Sequence, residues 1–450
     1  MSGDRARRRG LTRRDFLVAG GGATAGLILA SCGSGPEGNP AVSGSTSGGT
    51  GAKYEGPNVS LAFWNGFTGG DGPFMKDLVT QFNSETDNIE VKMSVQEWAD
   101  YYVKVPQAVA SGSGPDVGIM HINQLATNAA RTVILPLDDV AQTLELQEDD
   151  FAPIVWNGGT YNGQRYGIPL DTHPLGFYYN KKLMEQGGLD PESPPATGDD
   201  YLAALEDLKS KGIEGHWVSP FLFLGGLQWQ SLLWQNGGEL YNSEGTAATF
   251  NSEQGVAAMT WLVDLVKNGY SPANVGQDAD TIAFQNDKNA FNWNGIWMIN
   301  AFKEIKSLDW GVTQIPQIGS EKAAWASSHN FVIMNKEGQD PNKIDASKVF
   351  IKWVIDHSVD WAKAGQVPAD NSVRTSQEFT ALEEQSAFAE QLPYVHFPPP
   401  IPGIGDIDVI LETAVSEAVL LKKEPADALN DAASTADETL QENAEKYGTG

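Results

Sequence analysis

The 450-residue chain has one cysteine, six histidines, and 30 basic residues against 58 acidic ones. A single cysteine excludes an intramolecular disulfide. A formal charge of −28 repels nucleic acid and anionic lipid, and its dispersed pattern reads as a solvated surface with no single-sign block for a partner. After the first 32 residues no apolar run reaches the ~18 uncharged positions of a membrane-spanning candidate. Also missing are a Gly-x-Ser-x-Gly elbow, a His-Glu-x-x-His pair and a Gly-x-x-x-x-Gly-Lys phosphate loop. The six histidines stand singly, so no clustered set of metal ligands is legible and no metal or cofactor is expected. With 41% apolar residues, the chain describes a globular body long enough for two or three domains.

What is present begins at the N-terminus. Thr12-Arg13-Arg14-Asp15-Phe16-Leu17 precedes an uncharged stretch to Ser31, and Leu29-Ala30-Ser31-Cys32 closes it. Basic, apolar and small-residue regions in that order form a secretory signal. The paired arginines resemble a twin-arginine signal, and the closing tetrapeptide resembles a lipoprotein cleavage box in which Cys32 takes lipid and becomes the new N-terminus. Residues 1–31 are thus expected to be removed, and the protein is expected on the outer face of the cytoplasmic membrane, held by lipid on Cys32. The 16-residue stretch is short for a spanning helix and carries Gly20, Gly21, Gly22 and Gly26, each of which weakens a helix. Removal takes away a net +4, leaving about −32. Residues 32–55 are rich in Gly, Ser and Thr and read as a flexible tether with a mean reach of roughly 25 Å.

Globular patterning starts near Gly56. Val59, Leu61 and Phe63 alternate with smaller or polar residues, Phe74, Leu78, Val79 and Phe82 recur at helical spacing, and Ile89, Val91, Met93 and Val95 alternate again. This predicts a strand-helix-strand unit of a parallel sheet. Gly114-Pro115-Asp116 leads into a further short strand, Val117 to Met120. Helical patterns run through 201–209, 256–267, 347–356, 406–422 and 425–442. Ligands of open α/β sheets bind beyond the carboxyl ends of the strands, which here are Trp64 to Gly70 and Met120 to Asn123.

Trp64 at a strand end, Gly114-Pro115-Asp116-Val117, Tyr166-Gly167-Ile168-Pro169 before Tyr178-Tyr179-Asn180-Lys181, Asn236-Gly237-Gly238, Asn294-Gly295-Ile296-Trp297 and Asn330-Phe331-Val332-Ile333 follow one another. In that order they resemble the family 1 extracellular solute-binding proteins, the sugar receptors of ABC importers. The resemblance covers the chain from Val59 onward. It implies an α/β, two-lobe periplasmic-binding-protein fold of the class II type, with a ligand cleft between lobes joined by crossover segments. The expected lobes are 56–170 plus 330–386 and 171–329 plus 387–445. Crossings are expected near Ile168 to Pro174, Ser327 to Ile333 and Glu384 to Pro393. The implied partners are a sugar and the permease subunits of an importer, with the receptor acting as a monomer that closes by hinge motion.

A sugar presents apolar C–H faces and a rim of hydroxyls, so its site calls for aromatic platforms and short polar groups. Trp64, Trp229, Trp293, Trp297 and Trp325 are the candidate platforms, Trp297 matching the family's stacking tryptophan. Trp261, Trp353 and Trp361 sit in helical apolar patterns and read as core. Asn65, Asp116, His121, Asp171, His329 and Asp408 are the candidate polar contacts, with Asp116 also readable as a structural cap. His173, just before Pro174, reads equally as a satisfied turn residue. One rival is an anchored glycoside hydrolase, which would pair such platforms with two carboxylates. The other is a receptor of the same family for a non-sugar solute such as a glycerol-phosphate derivative, a polyamine or a metal ion.

Overall fold

The computed structural model describes residues 53–220 and 222–448. The signal, Cys32 and most of the expected tether lie outside the described residues. Among the described residues no helix is long and apolar enough to cross a membrane.

The first lobe is built on the unit expected from the alternating segments. Strand β1 (Val59–Asn65) buries Leu61, Phe63 and Asn65, every second residue, because successive side chains leave a strand on opposite faces. Helix α1 (Gly72–Glu85) carries Pro73 in its first turn and buries Met75, Leu78, Val79 and Phe82 along one face. Strand β2 (Ile89–Val95) returns parallel to β1. Helix α2 (Trp98–Ala110) follows, then strand β3 (Val117–His121) and helix α3 (Ile122–Ala130). The five-stranded sheet has the order β2, β1, β3, His329–Ile333, Ile168–Pro169, the last two strands antiparallel to their neighbours. Phe63, Phe82, Phe331 and Phe350 fill its core, with Phe63 and Phe82 each 5.1 Å from the Phe350 ring. Full burial of such a side chain contributes about 1.5–3 kcal/mol.

The second lobe centres on the strand Asp171–Asn180, all ten residues of which are buried. It lies between Ala324–Ser327 and Asn289–Gly295, both antiparallel to it, with Val395–His396 and Glu214–His216 at the edges. Helices Leu222–Gln235, Glu253–Lys267, Ile404–Val419 and Pro425–Tyr447 cover this sheet and share one core with it, including Trp229, Leu262, Trp293, Leu411 and Leu429.

The chain passes between the sheets at two adjacent points. Ile168–Pro169 belongs to the first sheet and Asp171–Asn180 to the second, so the first crossing is Leu170. Ala324–Ser327 belongs to the second and His329–Ile333 to the first, so the return is Ser328. The two crossings are bonded to each other: the Leu170 amide donates to the His329 carbonyl at 2.8 Å, and the His329 amide donates to Asp171 Oδ1 at 3.0 Å. The third passage corrects the expectation of Glu384 to Pro393. Val367–Pro368 pairs with Asp171–Thr172 at the hinge, Asn371 still bonds Asp149 of the first lobe, and Phe379 already packs with Tyr178 of the second. The chain has therefore changed lobes before Glu384.

Candidate functional site

A cavity of 570 Å³ opens at the hinge and is lined from both sheets, within the ~300–1,000 Å³ range of small-molecule sites. The first lobe contributes the loop after β1 (Thr68 to Asp71), Trp98 and Tyr102 of α2, His121 at the end of β3, and Asn123 and Gln124 of α3. These are the carboxyl ends of parallel strands and the first turns of helices, where the backbone leaves open ground. The second lobe contributes His173, Phe223, Trp297 and Trp325, while Ser327, His329 and Gln366 line the hinge.

Two aromatic walls result. Trp98 and Tyr102 are four residues apart on α2, hence on one helix face, and their rings stack at 5.7 Å. Opposite them, Phe223, Trp297 and Trp325 form a triangle with centroids 6.1 to 6.5 Å apart. One indole in each wall rests on a glycine. A Cβ at Gly66 would stand 2.0 Å from the Trp98 ring, and one at Gly295 would stand 2.1 Å from the Trp297 ring. No other residue type leaves room for these indoles to lie against the backbone.

Between the walls, at the hinge, three imidazoles gather. His121, His173 and His329 have ring centroids 4.3 to 5.6 Å apart. This corrects the reading of the histidines as scattered singly: the fold brings together three residues that are far apart in sequence. Asp171 stands behind two of them. Its buried carboxylate accepts from His329 Nδ1 at 2.8 Å, His173 Nδ1 at 3.1 Å, the His329 amide at 3.0 Å and Trp361 Nε1 at 2.7 Å. Tyr102 Oη serves the third, lying 2.6 Å from His121 Nδ1 and accepting from the His121 amide at 3.0 Å. Burial alone would push the Asp171 carboxyl up, but the His329 and His173 rings and their N–H donors hold it well below the usual carboxylate range. Burial and the neighbouring His329 push His173 down to about 4 and His121 well below its ordinary value, so these two rings are neutral at pH 7. Asp71, also on the cavity wall, is pushed up by burial, against the pull of His329.

Of the residues singled out from the sequence, Trp297, Trp325, His121 and His329 line the cavity, and Asp171 stands directly behind its histidines. Others are elsewhere. Trp229 and Trp293 are fully buried in the second lobe's core, Trp229 donating to the Gly255 carbonyl and Trp293 stacking on Trp261; their apolar neighbours, not a ligand, take up their surfaces. Asp116 sits at the far end of β3, accepting from the Ala62 amide and ion-paired to Lys336 at 2.6 Å and Lys343 at 3.0 Å. Trp64 packs with Tyr101 and Val105, and Asn65 Oδ1 caps the Phe67 amide at 3.2 Å. Asp408 lies behind Asn123, whose amide donates to it. Trp98, Tyr102 and Phe223 escaped the sequence reading. Trp98 and Tyr102 do carry a signal, an aromatic pair at helical spacing directly after a strand end; Phe223 carries none.

Two α/β lobes meeting at a bonded hinge, with a cavity walled from both sides, define a hinged two-lobed binding protein. The chain belongs to the bacterial extracellular solute-binding proteins, whose family model matches residues 77–387. It is similar to the maltooligosaccharide ABC transporter solute-binding lipoprotein of Streptococcus pneumoniae serotype 4, with 24% identity over 97% of this chain and 98% of that one. It is also similar to the sn-glycerol-3-phosphate-binding periplasmic protein UgpB of Escherichia coli O6:K15:H31, with 22% identity over 85% and 93%. Its fold matches the crystal structure of the cyclic alpha-maltosyl-1,6-maltose binding protein from Arthrobacter globiformis, with a TM-score of 0.75 and 23% identity over 86% of this chain and all of that one.

Proposed function

We propose that this protein is the lipid-anchored receptor of an ABC importer and that it captures an oligosaccharide in the hinge cavity, returning it chemically unchanged to the permease. The observation that carries this reading is the pair of facing aromatic walls, Trp98 with Tyr102 and Trp297 with Trp325 and Phe223. Flat apolar rings on both sides with Thr68, Asn123, Gln124 and Gln366 between them suit a pyranose, whose faces are apolar and whose rim is hydroxyl. Contact with both lobes gives the closed form its differential affinity, which is the quantity an importer can read. The maltooligosaccharide and cyclic-maltosyl binding named for two similar proteins agrees with this chemistry. A phosphate-bearing solute, as named for UgpB, fits less well, because no lysine or arginine is among the described residues lining the cavity. Export by the twin-arginine route and lipid on Cys32 complete the proposal and rest on the N-terminal motifs.

The test is intrinsic tryptophan fluorescence and thermal melting of the purified chain titrated with malto-, manno- and gluco-oligosaccharides and with glycerol-3-phosphate. One sugar class is expected to quench or shift the emission and to stabilise the fold by about 2.7 kcal/mol at a hundredfold excess over Kd. A response to glycerol-3-phosphate alone would overturn the assignment. Loss of the sugar on incubation would turn the receptor into a hydrolase.

A further inference from the structure

The three histidines at the hinge have a geometry that sugar recognition does not require. Asp171 is an acceptor only, so the Nδ1 atoms of His173 and His329 that bond it at 3.1 and 2.8 Å must carry hydrogen. In its neutral form each ring then carries its lone pair on Nε2. His121 has its Nδ1 held by Tyr102 Oη at 2.6 Å; its Nε2 carries the lone pair when Nδ1–H donates to the phenol oxygen and a proton when the phenol donates to Nδ1. None of these three Nε2 atoms has a hydrogen-bond partner among the described residues, and one ring nitrogen of each histidine lies within 4.8 Å of those of the other two. Three imidazole nitrogens within that reach of one another form a ligand set for a metal cation, which takes a lone pair from each ring. In a tetrahedral zinc site, nitrogens at ~2.1 Å from the metal stand roughly 3.4 Å apart, a separation that small ring movements reach from the observed arrangement. Holding the second ring nitrogen of a ligating histidine with a carboxylate or other polar partner is the usual way of fixing its tautomer and direction. A further acidic group faces the same space: Asp71 lines the cavity, and its buried Oδ1 has no partner among the described residues.

We propose that His121, His173 and His329 bind a divalent transition-metal cation of the zinc class through Nε2, with Asp171 and Tyr102 as positioning residues and a fourth coordination position open to the cavity. Three neutral nitrogen ligands suit Zn²⁺, Cu²⁺ or Ni²⁺ and discriminate against Mg²⁺ and Ca²⁺, which demand oxygen. The open position accepts a water or a ligand oxygen. The site draws on both lobes, since His121 ends one strand of the first sheet, His329 begins another, and His173 lies in the second.

Zn²⁺ is titrated calorimetrically into the full chain, purified without a polyhistidine tag and stripped with EDTA, with Mg²⁺ in a parallel titration and no sugar in either. One Zn²⁺ per chain is expected, with no Mg²⁺ response. Co²⁺ in place of Zn²⁺ is expected to give the visible d–d bands of a four-coordinate site. His173→Ala and His329→Ala should abolish stoichiometric uptake, whereas His357→Ala, whose ring stacks on Trp353 away from the cavity, should leave it unchanged. If the buried-histidine variants do not fold, Tyr102→Phe is decisive, because loss of a positioning partner lowers metal affinity about 10–100-fold without emptying the core. No stoichiometric Zn²⁺ uptake by the wild type, or uptake unaltered in Tyr102→Phe and in every folded histidine variant, overturns the proposal. Because sugar is absent throughout, the result stands whichever solute the cavity takes.

Discussion

Trp293 and Trp297 are four residues apart and bear different loads. Trp293 is fully buried among Tyr201, Trp261 and Phe291, so Trp293→Ala is expected to cost about 3–5 kcal/mol and to lower the melting temperature whether or not ligand is present. Trp297 is half-buried and faces the cavity, so Trp297→Ala should leave the melting temperature of the free protein nearly unchanged and reduce sugar affinity by at least tenfold. Circular-dichroism melts beside fluorescence titrations of the two variants separate these roles. The same pair shows what could be read at this scale. Residue type located the tryptophans as platforms, but only the fold tells which side of a strand end each faces: Trp293 points into the second core, while Trp297 follows the turn at Gly295 and comes out of it. Trp98 was missed for the converse reason, since its platform role depends on Gly66 lying beneath it, a contact between separate segments. His173 reads evenly as a contact or a turn residue because Pro174 argues for a turn. The structure instead tolerates that proline in a strand at the point where pairing changes from Ala324–Ser327 to Asn289–Gly295.

Among the elements, the helix Ile404–Val419 carries a tension of its own. Burial pushes Asp408 up to about 7 against the Asn123 amide, and burial together with Asp408 pushes Glu412, one turn further on, up to about 7. Unfolded carboxyls titrate near ~4, so between about pH 4 and 7 the folded protein keeps protons that the unfolded chain has released. The stability contribution is therefore full below about pH 4, falls as pH rises through that window, and levels off above about 7. Asp408→Asn and Glu412→Gln remain neutral in both states. Each is expected to melt higher than the wild type at about pH 8, with the difference shrinking toward about pH 4; melting curves across that range check it. This helix and those at Gly198–Ser210, Glu253–Lys267, Pro341–Asp356 and Pro425–Tyr447 are visible in the sequence, because apolar residues at 3.6-residue spacing mark a buried face whatever packs on it; Trp98–Ala110 and Leu222–Gln235 are not read as helices from it. The strand Asp171–Asn180 was seen only in pieces. A strand buried on both faces has no alternation to display, and its ten residues read as separate fragments around Pro174.

For the whole molecule, the order of motifs announced two lobes and the first two crossings, while the spread of the third passage over Val367 to Phe379 depends on long-range pairing that no local pattern encodes. A body of this kind is expected to contract when its ligand bridges the walls. Small-angle scattering should show a smaller radius of gyration with saturating sugar than without, and Trp297→Ala, lacking one wall, should show no contraction at the same sugar concentration. An unchanged radius in the wild type would mean that solute is held without closure.

The bond between Leu170 and His329 and the grip of Asp171 on the His329 amide place the pivot of that movement beside the carboxylate itself. Groups next to a pivot travel little and groups far from it sweep wide arcs. Asp171, His173 and His329 are thus the still centre of a bending molecule, and Trp98 and Trp297 ride on its lever arms. Chemistry at the centre is set before a solute arrives; what the solute decides is how far the arms come in.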